Sequence, residues 1–335
     1  MPTALVTGAT GQVGRHVVER LRGEGWSVRA LVRDLAAATS LRALDVDLAL
    51  GDVLDESSFV TAASGREVIF HTAAAVTPSG GWEAFRRPNV DGTRSAVAAA
   101  RSSGARLVHV SSVAVYGGTG RYREGTLTDE TSPLSPLRDA DFYARSKRES
   151  EAIVMEACER GDIWAAAVRP DVIYGRHDRQ FVPRIARLLR SGFAPLIGVG
   201  DTTLAIVHAE NVVDGMFRAA VSDQARGRSY NLSNDFDVTA ADFFRLAGVG
   251  LGRRVRTIRV PYGIARMGER VVRRVAGIIP GNGAQAVSFS AVDFLGRNNP
   301  FTSDRARAEL GWDPQVRPEV GIPDAFAWSA TQVRE

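Results

Sequence analysis

The sequence predicts an α/β fold of the Rossmann type, in which a doubly wound parallel sheet carries a smaller C-terminal substrate-binding domain. Over the first half of the chain, short apolar runs alternate with amphipathic stretches. Strands that alternate with helices indicate a parallel sheet covered on both faces. The apolar runs are continuous rather than alternating, which is typical of strands buried on both sides. A glycine-rich turn directly after the first run is the third observation, since such turns open a helix at a nucleotide-binding crevice.

The individual elements follow from these patterns in chain order. The predicted strands are 4–6, 27–32, 48–50, 68–71, 107–111 and 165–169. The predicted helices are 13–22, 57–63, 90–102 and 143–160, with further helical pieces at 181–189 and 240–246. The alternation ends near Gly175, and the rest of the chain is rich in Arg and Gly. We therefore expect a dinucleotide-binding domain over 1–175 and a substrate-binding domain over 176–335, parts of which, near 204–220, return to the first domain.

Residues 262–279 combine apolar side chains with arginines in an amphipathic pattern. Such a stretch can line a substrate cleft, form a partner surface or lie on a membrane. Packing against the protein itself is the commonest fate of an amphipathic helix. The sequence leaves these alternatives open.

The composition is that of an ordinary globular protein, with 44% hydrophobic and 24% charged residues. The 42 basic residues outnumber the 38 acidic ones, but they are spread along the chain, so we expect no nucleic-acid partner. Cys158 is the sole cysteine, which excludes an intramolecular disulfide and fits a reducing compartment. No run reaches the ~18 apolar residues of a membrane-spanning helix. We expect a cytoplasmic protein with a small-molecule substrate, no integral membrane segment and no metal site.

Three glycines with the spacing GxxGxxG, Gly8, Gly11 and Gly14, follow the first predicted strand. In a βαβ unit one such glycine permits the tight turn, one lets the backbone approach a pyrophosphate, and one allows the helix to pack closely on the sheet. The helix N-terminus then presents unpaired N–H groups to the phosphates. Three glycines alone can be structural, but their place in a strand–turn–helix unit favours a dinucleotide site. The same turn contains Thr10, Gln12 and Val13.

The end of the second predicted strand bears on which dinucleotide is bound. This strand finishes in Arg33 and Asp34. An acidic residue here binds the ribose hydroxyls of NAD, whereas an arginine accommodates the 2′-phosphate of NADP. Because Arg33 comes first, we expect NADP to be preferred over NAD; a solvated Arg33 beside an N-capping Asp34 is the alternative. After the third strand, Gly51 and Asp52 are well placed to meet the adenine.

Lys147 is the only lysine among the 42 basic residues, and it follows Tyr143 by four positions. In a chain that uses arginine everywhere else, a single lysine indicates a site that needs an ammonium group, whose pKa can shift and whose donors rotate. Residues i and i+4 share one face of a helix. There the ammonium would lower the pKa of the Tyr143 phenol from its usual value of about 10. We therefore expect Tyr143 to transfer protons near neutral pH.

Ser111 and Ser112 lie at the end of the fifth predicted strand. Ligands of open α/β sheets bind beyond the carboxyl ends of the strands, so a hydroxyl here is well placed for catalysis. Taken alone, either serine is more often a turn residue. The combination with Tyr143, Lys147 and the glycine turn favours a catalytic role.

Together these residues resemble the extended short-chain dehydrogenase/reductase family, within the NAD-dependent epimerase/dehydratase superfamily, over essentially the whole chain. Seven motifs occur in the family's order, at 7–14, 51–52, 89–93, 111–117, 143–147, 169–175 and 310–312. The resemblance implies that Tyr143 is the catalytic acid/base and that Lys147 supports it and holds the nicotinamide ribose. It also implies that Ser112 hydrogen-bonds the substrate oxygen, since the family's catalytic hydroxyl lies four residues before a Tyr-Gly pair, here Tyr116 and Gly117.

The same resemblance implies a set of cofactor contacts and a homodimer. The expected cofactor-binding residues are Gly8, Thr10, Gly11, Gln12, Val13, Gly14, Arg33, Asp52, Val53, Thr72, Ala73, Ala74, Tyr143, Lys147, Pro170 and Ile173. Many members of the family dimerise through the helices that correspond to 90–102 and 143–160.

Position 204 bears on the substrate. Nucleotide-sugar members of the family typically carry an arginine for the substrate diphosphate four residues before the histidine that aligns with His208, and this chain has Leu204. A leucine cannot make the bidentate contacts of arginine, which weakens the alternative of a nucleotide-sugar epimerase or dehydratase. The pattern is closest to 3β-hydroxysteroid dehydrogenase and dihydroflavonol reductase members. The resemblance thus implies an NAD(P)-dependent dehydrogenase or reductase acting on an apolar, steroid-like substrate. A dinucleotide-binding protein without turnover is the lesser alternative.

Overall fold

The computed structural model describes residues 1–117, 127–233, 236–269 and 291–332. Within these residues, seven parallel strands form one sheet and four more form two small ladders. The strands are β1 (Thr3–Thr7), β2 (Ser27–Val32), β3 (Asp47–Leu50), β4 (Val68–His71), β5 (Arg106–Val110), β6 (Ala165–Pro170), β7 (Val172–Tyr174), β8 (Phe193–Ile197), β9 (Ile206–His208), β10 (Ser229–Leu232) and β11 (Arg256–Val260). The large sheet has the order β10-β6-β5-β4-β1-β2-β3, the doubly wound arrangement of a Rossmann fold.

Helices cover both faces of this sheet and build the second part of the molecule. They are α1 (Gln12–Gly23), α2 (Thr39–Arg42), α3 (Glu56–Ala63), α4 (Gly81–Arg86), α5 (Gly92–Ser103), α6 (Phe142–Glu159), α7 (Phe181–Leu188), α8 (Ala209–Val221), α9 (Ala240–Gly250), α10 (Ala291–Gly296), α11 (Asp304–Leu310) and α12 (Pro318–Gln332). Residues 262–269 are also helical. No helix in the described part of the chain is long and apolar enough to cross a membrane.

The predicted fold class is confirmed, and the predicted elements correspond to strands β1 to β6 and helices α1, α3, α5, α6, α7 and α9 with small differences at their ends. The sequence did not predict that β10 extends the large sheet by pairing with β6. β10 follows β6 by some sixty residues in the chain. A local sequence pattern does not indicate which distant strand it pairs with. Helix α8 packs against β5, β6 and α1, so this later part of the chain lies on the first sheet.

Among the described residues, three large apolar cores hold these layers together. One lies between the sheet and α1 and α8 and includes Val6 and Trp312. A second lies on the opposite face, beneath α3, α5 and α6, and includes the buried Cys158. The third joins α7, α9 and α12 and contains Phe243 and Leu204. The third core is separate from the sheet, which gives the part of the chain that follows β7 its own packed interior.

A buried ion pair links α6 to the sheet. The guanidinium of Arg169, on β6, donates from Nε to the two carboxylate oxygens of Glu151 at 3.0 and 3.1 Å. Arg169 also donates to the Tyr116 hydroxyl at 2.7 Å, and Ser229 on β10 donates to Glu151 at 3.0 Å. Both charged side chains are almost fully buried. Removing one partner of such a buried pair strongly lowers the stability of the fold, because the other partner would stay charged and unpaired.

We predict that Arg169→Ala lowers the free energy of unfolding by about 3–5 kcal/mol, the usual effect of leaving one buried charge alone. Arg160→Ala is the matched control, because it breaks an exposed pair with Asp162 and should cost under about 1 kcal/mol. Urea denaturation of both variants measures the difference. Equal effects would show that burial does not set the strength of the Glu151–Arg169 pair.

Candidate active site

The predicted site residues gather along the carboxyl ends of the central strands. β1 and β4 are neighbours in the sheet, and the chain winds away from them in opposite directions. The glycine turn follows β1, Thr72 follows β4, and Ser111 follows β5. In open α/β sheets this is the crevice in which ligands bind.

The glycine turn is packed so closely that side chains would not fit in it. Gly8 has a φ of +67°, and a Cβ atom there would lie 2.8 Å from the backbone nitrogen of Ala73. A Cβ atom on Gly14 would lie 2.2 Å from the Gly8 carbonyl oxygen. Thr72 fixes the facing segment by donating from its hydroxyl to the Thr7 carbonyl at 2.7 Å. The close approach of backbone to backbone explains why these two positions require glycine.

The N-terminus of α1 offers donors toward this crevice. Its N-cap residue, Gly11, has no side chain to cap the first turn, and Thr10 beside it is exposed. The Nε2 amide nitrogen of Gln12 is buried and has no hydrogen-bond partner among the described residues. Uncapped N–H groups, the positive end of the helix dipole and an unused amide donor suit an anionic group. These residues therefore fit a dinucleotide pyrophosphate.

The residues predicted to meet the adenosine lie at the ends of β2 and β3. Arg33 is exposed and makes no ion pair with a described residue. Asp34 accepts hydrogen bonds from the backbone nitrogens of Ala36 and Ala37 at 2.8 and 3.3 Å, so it does cap the following turn. Asp52 accepts from Leu54 at 3.0 Å. Val53 packs against the position where a Cβ of Gly92 would stand, at 3.0 Å.

Helix α6 brings Tyr143 and Lys147 onto one face, beside Ser112. Ser112 ends the β5 segment and caps the short 3-10 helix Val113–Tyr116, its Oγ accepting from the Ala114 nitrogen at 3.2 Å. Its side chain lies close enough to the Tyr143 phenol to lower the pKa of that phenol. Ser111, by contrast, is buried, and its Oγ has no partner among the described residues. Of the two serines, Ser112 is therefore the one beside the phenol.

The ammonium group of Lys147 is held at the end of β5. Nζ donates to the Val110 carbonyl at 2.7 Å, and the side chain is only 3% exposed. Burial lowers the pKa of Lys147 to about 8, against the opposing attraction of the Glu151 carboxylate one turn along the helix. Because an ammonium has three donors, two remain for other acceptors.

The pKa of Tyr143 moves opposite to the sequence prediction. Burial raises the pKa of the phenol, and the nearby Ser112 side chain only partly opposes this rise. The expected lowering by Lys147 was wrong for this structure, because the ammonium is bonded to the Val110 carbonyl rather than to the phenol. Desolvation of the charged form therefore outweighs the lysine.

Two stacked histidines lie beneath the site. His71 and His109 are register partners on β4 and β5, with ring centroids 5.6 Å apart. Burial and the nearby charge of Lys147 lower the pKa of His71 to about 3 and that of His109 well below its usual value. Both rings are therefore neutral at physiological pH. Nothing in the sequence beyond their places at strand ends indicated this pair.

Asn89 is a second feature that the sequence analysis did not assign to the site. Its amide donates to the Ala75 carbonyl and to the Ser146 hydroxyl, both at 2.9 Å, and accepts from the Ala75 nitrogen at 2.7 Å. Asn89 thus ties the segment after β4 to the helix that carries Tyr143. A π-helical turn, Arg87–Asp91, places the side chain for this contact. The available signal was its place in the motif at 89–93.

The last two predicted cofactor contacts follow the sixth strand of the sheet. Pro170 ends β6, and Ile173 lies in β7, where it is half-buried. Leu204, the position compared with a diphosphate-binding arginine, is 1% exposed and packs in the third core with Phe243. The side chain at 204 therefore contributes packing instead of a polar group.

Comparison with known proteins agrees with this geometry. The family model described as "NAD dependent epimerase/dehydratase family" matches residues 4–233. The chain is 32% identical to 4-hydroxy-2-methyl-3-oxo-4-farnesyl-3,4-dihydroquinoline-1-oxide ketoreductase of Stigmatella aurantiaca, over 95% of this chain and 93% of that one. It is 28% identical to 3-beta-hydroxysteroid dehydrogenase of Mycolicibacterium neoaurum, over 97% of this chain and 90% of that one.

A solved structure shares the fold at lower identity. UDP-glucuronic acid 4-epimerase from Bacillus cereus, in complex with NAD, superposes with a TM-score of 0.74 at 16% identity, covering 98% of this chain and 99% of that one. At this identity the likeness concerns the fold alone. The family model and these relatives together define an enzyme of the extended short-chain dehydrogenase/reductase type. The chain belongs to the NAD-dependent epimerase/dehydratase family and is an NAD(P)-dependent enzyme.

Because Lys147 is the only lysine, its titration can be followed directly. We predict that the side-chain signal of protein labelled with ¹³C-lysine titrates with a pKa of about 8 in the absence of dinucleotide. Glu151→Gln should lower that value further, because the carboxylate favours the ammonium. A midpoint near the usual lysine value of about 10.4 would contradict the buried environment described above.

Proposed function

We propose that the protein interconverts a secondary alcohol and a ketone on an apolar, steroid-like substrate, with Ser112, Tyr143 and Lys147 as the catalytic residues. The observation that carries the proposal is that the Ser112 side chain lies beside the Tyr143 phenol, with Lys147 one helical turn further along the same helix. A phenol and a serine hydroxyl that lie side by side can both reach one substrate oxygen.

Each residue has one task in this proposal. Ser112 donates a hydrogen bond to the substrate oxygen and orients it, while Tyr143 gives a proton to that oxygen in reduction and takes it back in oxidation. Lys147 would hold the nicotinamide ribose with the two donors that Val110 leaves unused. A bound nicotinamide dinucleotide supplies or accepts the hydride. The neutral histidines beneath the site leave the charge of Lys147 uncompensated on that side.

Aromatic side chains beside Tyr143 support an apolar substrate. Phe85 lies 6.5 Å from the Tyr143 ring, and Phe142 lies 6.2 Å from Phe85 and 6.3 Å from Trp82, centroid to centroid. Such a group gives the Tyr143 ring apolar surroundings. The two relatives named above act, by their names, on a farnesylated quinoline and on a steroid. We infer that this chain takes a substrate of the same apolar kind.

The nucleotide-sugar alternative finds less support. It would need a cation for the substrate diphosphate, and the position expected to supply one is a buried leucine, Leu204. The lesser alternative is a dinucleotide-binding protein without turnover. It is disfavoured because the Ser112 side chain lies beside the Tyr143 phenol. A dinucleotide-binding unit over 1–175, a substrate-binding unit over 176–335 and a homodimer through α5 and α6 belong to the same proposal.

Arg33 supports NADP as the preferred dinucleotide. The carboxylate of Asp34 is engaged by the backbone of its own turn, whereas the guanidinium of Arg33 is exposed without an ion-pair partner among the described residues. A free guanidinium at this strand end suits a 2′-phosphate better than a ribose hydroxyl.

The test of the reaction is Tyr143→Phe. Loss of the acid/base should lower kcat by about 10²–10⁴-fold, while the dissociation constant for NADPH stays within about twofold, because the phenyl ring keeps its place. Activity is measured with a steroid ketone, a long-chain 3-oxo compound and a UDP-sugar. Tyr230→Phe, in β10 at the edge of the sheet, is the control and should retain activity. Full activity of Tyr143→Phe, or turnover of the UDP-sugar alone, would overturn the proposal.

The test of dinucleotide choice is Arg33→Ala. It should weaken NADP binding by at least about tenfold, because one charged contact to phosphate is lost, and leave NAD binding nearly unchanged. Arg226→Ala removes an exposed arginine elsewhere and controls for net charge. Isothermal titration with both dinucleotides gives the comparison. If both affinities fall equally, Arg33 does not bind the 2′-phosphate.

A further inference from the structure

The arginines of this chain are spread along the sequence, but the acidic residues are not. Residues 179–200 contain four arginines and no aspartate or glutamate. Residues 243–268 contain six arginines and likewise no acidic residue. Since the whole chain has nearly equal numbers of basic and acidic residues, these two segments concentrate its excess positive charge.

The fold brings the two segments together. β11 pairs with β8 in parallel, with Arg256 opposite Phe193. The backbone nitrogen of Arg256 donates to the Gly192 carbonyl at 2.9 Å, and Arg253 donates from its guanidinium to the Arg190 carbonyl at 3.3 Å. The two segments that lack acidic residues are therefore neighbours in the fold. We call residues 184–193 and 253–267 together the basic face.

Most arginines of the basic face are exposed and lack carboxylate partners among the described residues. Elsewhere in the molecule exposed arginines are commonly paired, as Arg94 is with Asp91 and Arg160 with Asp162. Among the described ion pairs, Arg266 is the one arginine of the face that takes part, with Glu269 and Asp293. The exposed arginines without a described carboxylate partner are Arg184, Arg187, Arg190, Arg253, Arg254, Arg256 and Arg259.

Large apolar side chains lie among these cations. Ile258 is 53% exposed and shares one face of β11 with Arg256, because the two are two positions apart in a strand. Ile264 and Met267 are 58% and 63% exposed and lie three positions apart in a helix, hence on one side of it. Phe193 and Leu188 are each 44% exposed. Single exposed apolar residues are ordinary, but here they lie in the same two segments as exposed arginines that have no carboxylate partner among the described residues.

We propose that the basic face docks this protein onto an anionic phospholipid bilayer. Arginines near such a surface are attracted to the lipid phosphates, each adding about fivefold to binding. Exposed aliphatic and aromatic side chains between them can enter the boundary of headgroups and acyl chains. A nucleic acid would bind the arginines but would not require the exposed apolar side chains of Ile258, Ile264 and Met267. The combination of cations with apolar side chains therefore favours a membrane surface.

A chain of charged contacts connects the end of the basic face to the helix that carries Tyr143. Glu269, in the helical residues 262–269, lies close enough to Arg138 to stabilise its charged form. Arg138 in turn is bound to Asp141, directly before the helix that carries Tyr143. Docking would bring the site to a substrate dissolved in the bilayer. This last step rests on the proposed function, whereas the binding itself does not.

The experiment is sedimentation of the full-length protein with vesicles of phosphatidylglycerol and phosphatidylcholine in equal parts, and with vesicles of phosphatidylcholine alone. Wild type should bind the anionic vesicles, less at high salt, and should bind neutral vesicles weakly. Arg254→Glu/Arg256→Glu should weaken binding to anionic vesicles by at least tenfold. Arg226→Glu/Arg228→Glu has the same spacing and the same change in net charge, lies outside the basic face and should bind as wild type does.

A second variant, Ile258→Ser/Met267→Ser, separates a membrane from other polyanions. It should weaken vesicle binding by at least about threefold and leave binding to a DNA duplex unchanged. Equal losses in the two arginine variants would mean that net charge alone drives binding and would overturn the proposal. Insensitivity to the apolar substitutions would overturn it too, in favour of a generic polyanion site. NADPH turnover of a water-soluble ketone, measured in parallel, tests the proposed function independently of docking.

Discussion

The site depends on one hydrogen bond, from the ammonium of Lys147 to the carbonyl of Val110 at 2.7 Å. This contact fixes α6 against the carboxyl end of β5 and so sets where Tyr143 stands relative to Ser112. It also buries a cation, which is costly unless neighbouring groups compensate. Glu151 lies one turn further along α6 and is itself held by Arg169 on β6. Helix and sheet are thereby joined by two successive charged contacts, the first at the site and the second deeper in the core.

The surroundings of Lys147 leave its charge available for catalysis. His71 and His109 remain neutral because their burial beside the ammonium opposes a further positive charge. The phenol of Tyr143 is raised in pKa rather than lowered, so the isolated protein favours a protonated tyrosine. A tyrosine that keeps its proton suits a reductase, which must give that proton to the substrate oxygen. The crevice and the electrostatics of the site thus agree on the chemistry that we propose.

Much of this could be predicted from the sequence, because the signals are local. Apolar runs and amphipathic stretches predicted the strands and helices, and the spacing of Tyr143 and Lys147 predicted that they share a helix face. The direction of the phenol pKa could not be predicted, since it depends on burial and on Lys147 bonding to Val110. The pairing of β10 with β6 and the Glu151–Arg169 pair join distant parts of the chain. The basic face likewise emerges only when β8 and β11 meet, although the scarcity of acidic residues was visible in each segment alone.

We propose that Tyr143 and Lys147 form one proton-transfer unit. Burial and the bound dinucleotide would together set the pKa of its phenol. The most direct measurement is the pKa of the Tyr143 phenol, by NMR of protein labelled with ¹³C-tyrosine and assigned with Tyr143→Phe, with and without NADP⁺. We expect a value above the usual one of about 10 in the protein alone. With NADP⁺ the pKa should fall by at least about one unit, because Lys147 would turn toward the ribose and the nicotinamide ring would add a positive charge. A phenol pKa that is ordinary in the protein alone and unchanged by NADP⁺ would contradict this proposal.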